Sequence, residues 1–128
     1  MKEFIERSLR NSFVESFGVI HQIETLVFRN VDKDYKMSLL DVVIESDIKD
    51  FDNLRDDERM LLIFLKLNLK TVLNYEIDKN NSLTLFFENC WIKLNAGNQY
   101  EFLQIGGNSK DGMELLILNS DGTFSIWN

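Results

Sequence analysis

The chain has 128 residues, of which 45% are hydrophobic and 27% are charged, and its formal net charge is −7. This length and apolar content are typical of one folded domain, so we expect residues 1–128 to form a single domain without a disordered region. The negative charge repels the phosphates of DNA and RNA, which argues against nucleic acid as a partner.

Signals for export and membrane insertion are not evident in the sequence. The first ten residues alternate between charged and apolar types and do not form the continuous apolar core of a secretion signal. The longest apolar run, residues 60–69, is about half the length that a bilayer span requires. The single cysteine, Cys90, cannot close an intramolecular disulfide, which favours a reducing compartment. We therefore expect a cytoplasmic protein without membrane contact.

The N-terminal part is predicted to contain a helix followed by strands. Apolar residues recur there at every fourth position: Ile5, Leu9, Phe13 and Phe17. This spacing predicts an amphipathic helix over residues 2–16. The next segment, 19–28, fits both a helix and a strand. The polar residues 30–36 are predicted to form a loop, and the Leu-, Val- and Ile-rich segment 38–45 is predicted to form a strand.

A second helix is predicted from Asp52 or Asn53 through Lys66. Acidic residues at its start would stabilise the positive end of the helix dipole. Leucines then follow at helical spacing: Leu61, Leu62, Leu65 and Leu69. A buried strand also fits this apolar run, but the run is longer than a typical strand and therefore favours a helix.

From Thr71 onward the apolar period changes to two, which is typical of strands. The tetrads at 78–81 and 119–122 have the residue types of hairpin turns. Between them we predict a reversal at 88–89 and the end of a strand at the glycine pair 106–107. The expected fold class is α+β, with an N-terminal helix or helices packed on an antiparallel β-meander of about five strands.

The sequence offers little material for catalysis or metal binding. One histidine, His21, and one cysteine, Cys90, are too few for a zinc site, and they could form a nucleophile–base pair only if the tertiary fold happened to bring them together. Asp32 and Asp34 begin the alternation of a calcium loop, but Lys36 occupies the third ligand position. We therefore predict no catalytic residue, no metal site and no cofactor. An enzyme that uses carboxylates alone remains an alternative.

Residues 46–58 are the one segment that points toward a function. Six acids minus two bases give it a formal charge of −4. The acids are the predicted partner-binding residues: Asp47, Asp50, Asp52, Asp56, Asp57 and Glu58. A solvated loop and helix start explains such a segment without any function. The alternative is a carboxylate-rich surface that docks on the basic cleft of a nuclease or another nucleic-acid-handling protein.

The C-terminal half has a characteristic order of elements: a strand reaching Ile77, the strand 82–87 with an acidic turn after it, Tyr100-Glu101, the strand 115–118, Asp121-Gly122 and Ile126-Trp127. This layout resembles small bacterial immunity proteins of polymorphic or contact-dependent growth inhibition toxins. Those families often have a glycine in the turn after the Phe-rich strand, where this chain has Asn89-Cys90. The resemblance implies a cytoplasmic protein that binds one cognate toxin and blocks it.

The first functional hypothesis is therefore an immunity protein whose six acids meet a basic toxin domain, with neighbouring apolar residues as anchors. We expect it to be a monomer that forms a one-to-one heterodimer with that toxin. A second hypothesis is a phage- or plasmid-encoded acidic mimic of nucleic acid that inhibits a host defence protein. A third is an accessory subunit without inhibitory action.

Overall fold

The computed structural model describes residues 1–31, 33–109 and 112–127. This part of the chain forms two helices and ten strands. In chain order they are α1 (Lys2–Leu9), β1 (Phe13–Ile20), β2 (Ile23–Asn30), β3 (Lys33–Leu39), β4 (Val42–Ser46), α2 (Asp56–Leu67), β5 (Asn74–Ile77), β6 (Leu83–Phe87), β7 (Cys90–Ala96), β8 (Glu101–Ser109), β9 (Gly112–Asn119) and β10 (Phe124–Trp127). The predicted α+β class is confirmed.

The strands form two antiparallel sheets. The six-stranded sheet has the order β1-β2-β3-β8-β9-β10, and the four-stranded sheet has the order β4-β7-β6-β5. The chain crosses between the sheets after β3 and returns after β7. At this crossing the N–H groups of Leu40 and Asp41 donate to the carbonyl of Phe102, and the N–H of Gly97 donates to the carbonyl of Asp41. The strands after Thr71 are therefore divided between two sheets and do not form one meander.

A second junction connects the two sheets on the side of β1. The segment 69–72 runs beside the start of β1, where the N–H of Val14 donates to the carbonyl of Lys70 at 3.0 Å. The N–H of Leu73 then donates to the carbonyl of Phe86 in β6 at 2.8 Å. Both sheets are thus hydrogen-bonded to one connecting segment, which holds them around a shared core.

One hydrophobic core lies between the sheets and the helices, and its largest fully buried side chains include four phenylalanines: Phe4, Phe28, Phe64 and Phe102. The buried residues of α2 follow the i, i+3, i+4, i+7 spacing of one helix face: Met60, Ile63, Phe64 and Leu67. Each fully buried large apolar side chain contributes about 1.5–3 kcal/mol relative to an exposed one. Burial of this face is therefore the main term that holds α2 in place.

The prediction of a helix through residue 16 is wrong after Leu9. Asn11 has a φ of +63°, and the hydroxyl of Ser12 donates to the carbonyl of Leu9, so the chain leaves the helix there. Phe13 and Phe17 continue into β1 instead. A spacing of four residues fits a period of two as well as a period of 3.6, and this explains why the apolar pattern was ambiguous.

Three neighbouring expectations also change. Residues 19–28 belong to β1 and β2, which meet at His21 and Gln22 with φ values of +51° and +67°. The predicted loop 30–36 is wrong at Asn30, which ends β2, and from Lys33 onward, where β3 begins. The predicted strand 38–45 is two strands, β3 and β4, which lie in different sheets.

The glycine pair 106–107 does not end a strand, because β8 continues through both residues. Gly107 lies opposite Tyr35 in β3. A Cβ atom at Gly107 would lie 2.6 Å from the Tyr35 ring, so the glycine is explained by close packing against that ring and not by a turn. The other local predictions for the C-terminal half are confirmed, namely the β5–β6 hairpin, the reversal before β7 and the β9–β10 hairpin.

The β9–β10 turn depends on Gly122. Its N–H donates to the carbonyl of Asn119, its φ is +88°, and a Cβ atom there would lie 2.6 Å from the carbonyl oxygen of Lys79. We expect Gly122→Ala to lower the free energy of unfolding by about 1–3 kcal/mol, measured by urea denaturation. Gly18→Ala is the matched control, since a Cβ at Gly18 would contact nothing within 4 Å. Equal midpoints for the two variants would contradict this explanation.

Candidate partner-binding surface

The six predicted partner-binding acids lie on one continuous stretch from the end of β4 to the first turn of α2. All of them are exposed, with Asp47, Asp50 and Asp52 in the loop and Asp56, Asp57 and Glu58 in the helix. The helix begins at Asp56, later than the predicted Asp52 or Asn53, with Arg55 at the N-cap position. The three helical acids therefore lie in the first turn, where they favour the positive end of the helix dipole.

Nearby bases compensate much of this negative charge. Lys66 Nζ lies 3.2 Å from Asp50 Oδ2, and Arg55 Nε lies 3.0 Å from Glu58 Oε1 and 3.4 Å from Asp57 Oδ1. A further pair joins Arg59 to Asp52 at 3.5 Å. Six acids minus four bases give residues 46–67 a formal charge of −2, compared with −4 for residues 46–58 alone. The surface is therefore a mixed ionic rim and not a continuous negative array.

Asp47 and Asp56 differ from the other four acids. Asp47 Oδ1 accepts a hydrogen bond from the backbone N–H of Trp91 at 2.9 Å, which attaches the loop to β7. Among the residues that the structure describes, Asp56 forms no ion pair. Asp47 thus has a structural contact of its own, whereas Asp56 leaves its charge available to a partner.

Leucine side chains of α2 face solvent beside these acids. Leu65 is 57% exposed, and Leu69, just after the helix, is 68% exposed. Glu58, Leu62 and Leu65 are spaced by four and three residues, so they share one face of α2 opposite its buried face. This face of α2 therefore carries one half-buried leucine, Leu62, and one exposed leucine, Leu65, and the rest of the chain covers it only in part.

The loop before α2 lies alongside the last turns of this helix. Lys66 Nζ is 6.0 Å from the centre of the Phe51 ring, and it also pairs with Asp50. The acids of the loop consequently lie next to the exposed leucines. After the helix, a groove of about 480 Å³ adjoins the same stripe and is lined by Leu69, Lys70, Thr71, Leu73, Glu88 and Asn89.

We refer to Leu62, Leu65, Leu69 and Leu73 as the leucine surface and to the six acids as its acidic rim. Apolar residues at the centre with charged residues around them are the usual anatomy of a protein–protein interface. Leu65, at the end of α2, and Leu69 and Leu73, in the segment after it, are exposed, whereas Leu62 is half-buried. A group of neighbouring exposed large apolar side chains is typical of a binding site. The sequence contained the relevant signal, since apolar residues occur on all sides of α2, but it did not show which side would be covered.

A buried charged cluster elsewhere was not predicted at all. Glu114 is buried, and its carboxylate accepts hydrogen bonds from Arg7 Nη2 at 2.5 Å and from the Tyr35 hydroxyl at 2.8 Å. Burial by itself would raise the pKa of Glu114, but the hydrogen bonds from Arg7 and Tyr35 outweigh it and hold this pKa below its usual value. Because Arg7 belongs to α1, the cluster attaches this helix to the six-stranded sheet.

Other candidate residues do not come together into a site. His21 is exposed at the β1–β2 turn, and burial raises the pKa of the partly buried Cys90 thiol. Asp34 pairs with Arg29 at 3.1 Å, whereas Asp32 lies outside the described residues. Within the described ranges, no group of three or more His, Cys, Asp or Glu side chains is arranged to hold a metal ion.

Comparison of the chain with known protein families, with curated proteins and with solved structures finds no match. In the part of the chain described here, neither helix is both long enough and apolar enough to cross a membrane.

Proposed function

We propose that this chain is an immunity protein that binds a cognate bacterial toxin domain in the cytoplasm and blocks its active site or target surface. The observation that carries the proposal is the leucine surface, formed by α2 and the segment that follows it, with its acidic rim. In this proposal the chain performs no catalysis and inhibits stoichiometrically, with one toxin domain bound per chain.

The two parts of the surface have different roles in binding. Covering the exposed part of one leucine contributes roughly 1–2 kcal/mol, because apolar area is removed from water. An exposed ion pair contributes about 0–1 kcal/mol, because water and salt screen it. The leucines therefore supply most of the affinity, while the acids accelerate the approach of a basic toxin and select against acidic partners.

The ionic pairs in the rim favour this proposal over nucleic-acid mimicry. A mimic needs unpaired carboxylates that reproduce a row of phosphates, but Arg55, Arg59 and Lys66 place cations among the acids of this chain. The mimic would also depend on charge more than on apolar contact. The accessory-subunit alternative shares the leucine surface but predicts no protection of cells from a toxin.

The proposal is tested with the toxin domain encoded by the gene adjacent to the one that encodes this chain. Cells that express the toxin should survive only when the chain is co-expressed, and the purified proteins should form a stable complex. Complex formation without protection would support an accessory subunit instead. Failure of the two proteins to bind would contradict the proposal.

Removing charge from the acidic rim is expected to slow association. The triple variant Asp56→Asn, Asp57→Asn, Glu58→Gln should bind the toxin with an association rate constant lowered about tenfold at low salt, because steering by these charges is lost. The dissociation rate constant should change much less. Stopped-flow fluorescence at several salt concentrations measures both.

The control for this experiment removes the same number of charges from exposed acids elsewhere, with Glu3→Gln, Glu76→Gln and Glu101→Gln. Its association rate should stay close to that of the unmodified chain. Equal slowing by both triple variants would mean that only net charge matters, and the acidic rim would then not be the site of approach.

A further inference from the structure

β10 is an edge strand that leaves large apolar side chains in solvent. It pairs with β9 on one side only. Phe124 is 45% exposed, Ile126 is 39% exposed and Trp127 is 62% exposed. The register places Phe124 and Ile126 on the core side of the sheet and Trp127 on the outer side. Both faces of this edge are therefore apolar.

The backbone of β10 also has unused hydrogen-bonding groups. In the hairpin, the N–H of Asn119 donates to the carbonyl of Thr123 at 3.0 Å. Hydrogen-bonded and non-hydrogen-bonded pairs alternate along an antiparallel ladder, so Ser125 and Trp127 direct their N–H and C=O groups toward β9. The corresponding groups of Phe124 and Ile126 point toward the open edge.

The other edge strands of the described sheets carry a charge or a bulge that discourages pairing, whereas β10, a strand of four residues, carries neither. β1 contains Glu15 and a bulge between Val14 and Ser16, and the segment 69–72 covers its start. β4 contains Glu45 and β5 contains Glu76. Charges and bulges of this kind keep edges apart. The residues of β10, Phe-Ser-Ile-Trp, include no charge, and its register with β9 is regular.

We infer that β10 pairs antiparallel with β10 of a second copy of this chain, about a two-fold axis through Ser125. This register pairs Phe124 with Ile126 of the second copy and Thr123 with Trp127, each pair occurring twice. At the axis, Ser125 lies opposite Ser125 of the second copy. The outward N–H and C=O groups of Phe124 and Ile126 then supply the hydrogen bonds between the two strands.

The side chains in this register complement one another without an unfavourable pair. The aromatic ring of Phe124 meets the β-branched Ile126 on one face, a combination that stabilises cross-strand pairs. The small Ser125 leaves room at the axis. Isologous two-fold pairing is also the commonest form of self-association. On both faces of the sheet, the side chains of β10 can therefore pack against those of β10 in a second copy without bringing charges together.

The net charge of −7 does not oppose this contact locally. On β10 and its turn, the nearest acid is Asp121, four residues before the axis, and Glu114 on β9 is buried and paired with Arg7. The two Asp121 side chains would be separated by roughly eight residue spacings, or about 27 Å, compared with a screening length of about 8 Å at physiological salt. The same lack of charge gives β10 no attraction for a basic toxin, which is why we assign this edge to a second copy.

The β10 contact does not depend on the proposed immunity function. α2 packs against β1, at the opposite edge of the six-stranded sheet, so the leucine surface and β10 are roughly five strand spacings, or about 24 Å, apart across the sheet. A dimer formed at β10 therefore leaves one leucine surface free on each copy. The free chain would then be a dimer, and not the monomer expected from the sequence.

The test is the oligomeric state of the full chain and of two aspartate variants in analytical ultracentrifugation. The unmodified chain should sediment as a dimer. Its dissociation constant should fall as the salt concentration rises, because the apolar contact strengthens while the repulsion between the two negative chains is screened. Ser125→Asp places like charges opposite each other at the axis and should raise the dimer dissociation constant about tenfold or more. Ser16→Asp, which adds the same charge on exposed β1, should leave the dimer unchanged.

A cross-link tests the register itself. Cα atoms of a directly opposed, non-hydrogen-bonded pair lie about 4.5 Å apart, which is within the range of a disulfide. Ser125→Cys in a Cys90→Ser background should therefore give a covalent dimer on oxidation, whereas Ser16→Cys in that background should not. A monomeric unmodified chain at every concentration, a dimer unaffected by Ser125→Asp, or equal cross-linking of both cysteine variants would overturn the inference.

Discussion

Leu65→Arg is expected to weaken binding of the adjacent-gene toxin about a hundredfold or more while leaving the fold intact. Leu65 is 57% exposed at the centre of the leucine surface, so an arginine there can remain in solvent in the free chain. In the complex the variant loses an apolar anchor and presents a cation to a basic partner. Losing the apolar contact costs about 1–2 kcal/mol, and the unfavourable charge supplies the rest of the roughly 2.7 kcal/mol that a hundredfold change represents.

The matched control for this variant is Met113→Arg. Met113 is also an exposed apolar residue, but it lies on β9, away from α2. Isothermal titration calorimetry should give nearly the same dissociation constant for this variant and for the unmodified chain. If Leu65→Arg binds the toxin as tightly as Met113→Arg does, the leucine surface is not the interface.

The largest effect on stability is expected from Glu114→Leu. This change leaves the Tyr35 hydroxyl without its carboxylate acceptor and releases Arg7, whose side chain is half exposed and can turn to water. Removing one partner of a buried pair costs about 3–5 kcal/mol, and the exposure of Arg7 lowers our expectation to about 2–4 kcal/mol. Urea denaturation measures the loss, with Glu76→Leu, an exposed site on β5, as the control.

The same cluster predicts a pH dependence with a definite sign. The pKa of Glu114 in the folded chain lies below its ordinary value of 4.5, so folding favours the ionised carboxylate. This contribution is complete above the unfolded-state pKa and disappears as the pH falls through the folded-state pKa. The difference in unfolding free energy between the unmodified chain and Glu114→Gln should therefore be constant near neutral pH and shrink in acid. A difference that stays constant down to full protonation would contradict this assignment.

Local signals in the sequence were sufficient for several elements. The β5–β6 turn was predictable because Asp78 caps it, its Oδ1 accepting hydrogen bonds from the N–H groups of Asn80 and Ser82. The β9–β10 turn was predictable because Gly122 supplies a positive φ. The helix α2 was predictable from its length and its acidic first turn. In each of these cases, residues close in the chain determine the conformation.

Other parts of the fold depend on contacts that local patterns do not show. The spacing of Phe13 and Phe17 fits both a helix and a strand, and β1 is selected by pairing with β2. Hairpin signals from Thr71 onward identify strands but not their sheets, and so β5–β7 and β8–β10 were assigned to one meander. Gly107 was interpreted as a break because the Tyr35 ring that packs on it lies 72 positions away in the sequence.

The acids of the candidate site were predicted from the sequence, but the contacts around them were not, because those contacts depend on the tertiary fold. The exposure of the six acids follows from their charge and was expected. Their compensation by Arg59 and Lys66 was not expected, because it requires the loop to lie along α2. The exposure of Leu65 depends on which side of α2 the sheets cover, and this is a property of the assembled fold.

The most direct test of the central claim is hydrogen–deuterium exchange of the chain with and without the adjacent-gene toxin. The proposed interface predicts that the complex slows amide exchange in residues 47–73, which include the acidic rim and the leucine surface, and leaves β10 unchanged. Formation of a complex in which residues 47–73 exchange as fast as in the free chain would contradict the claim.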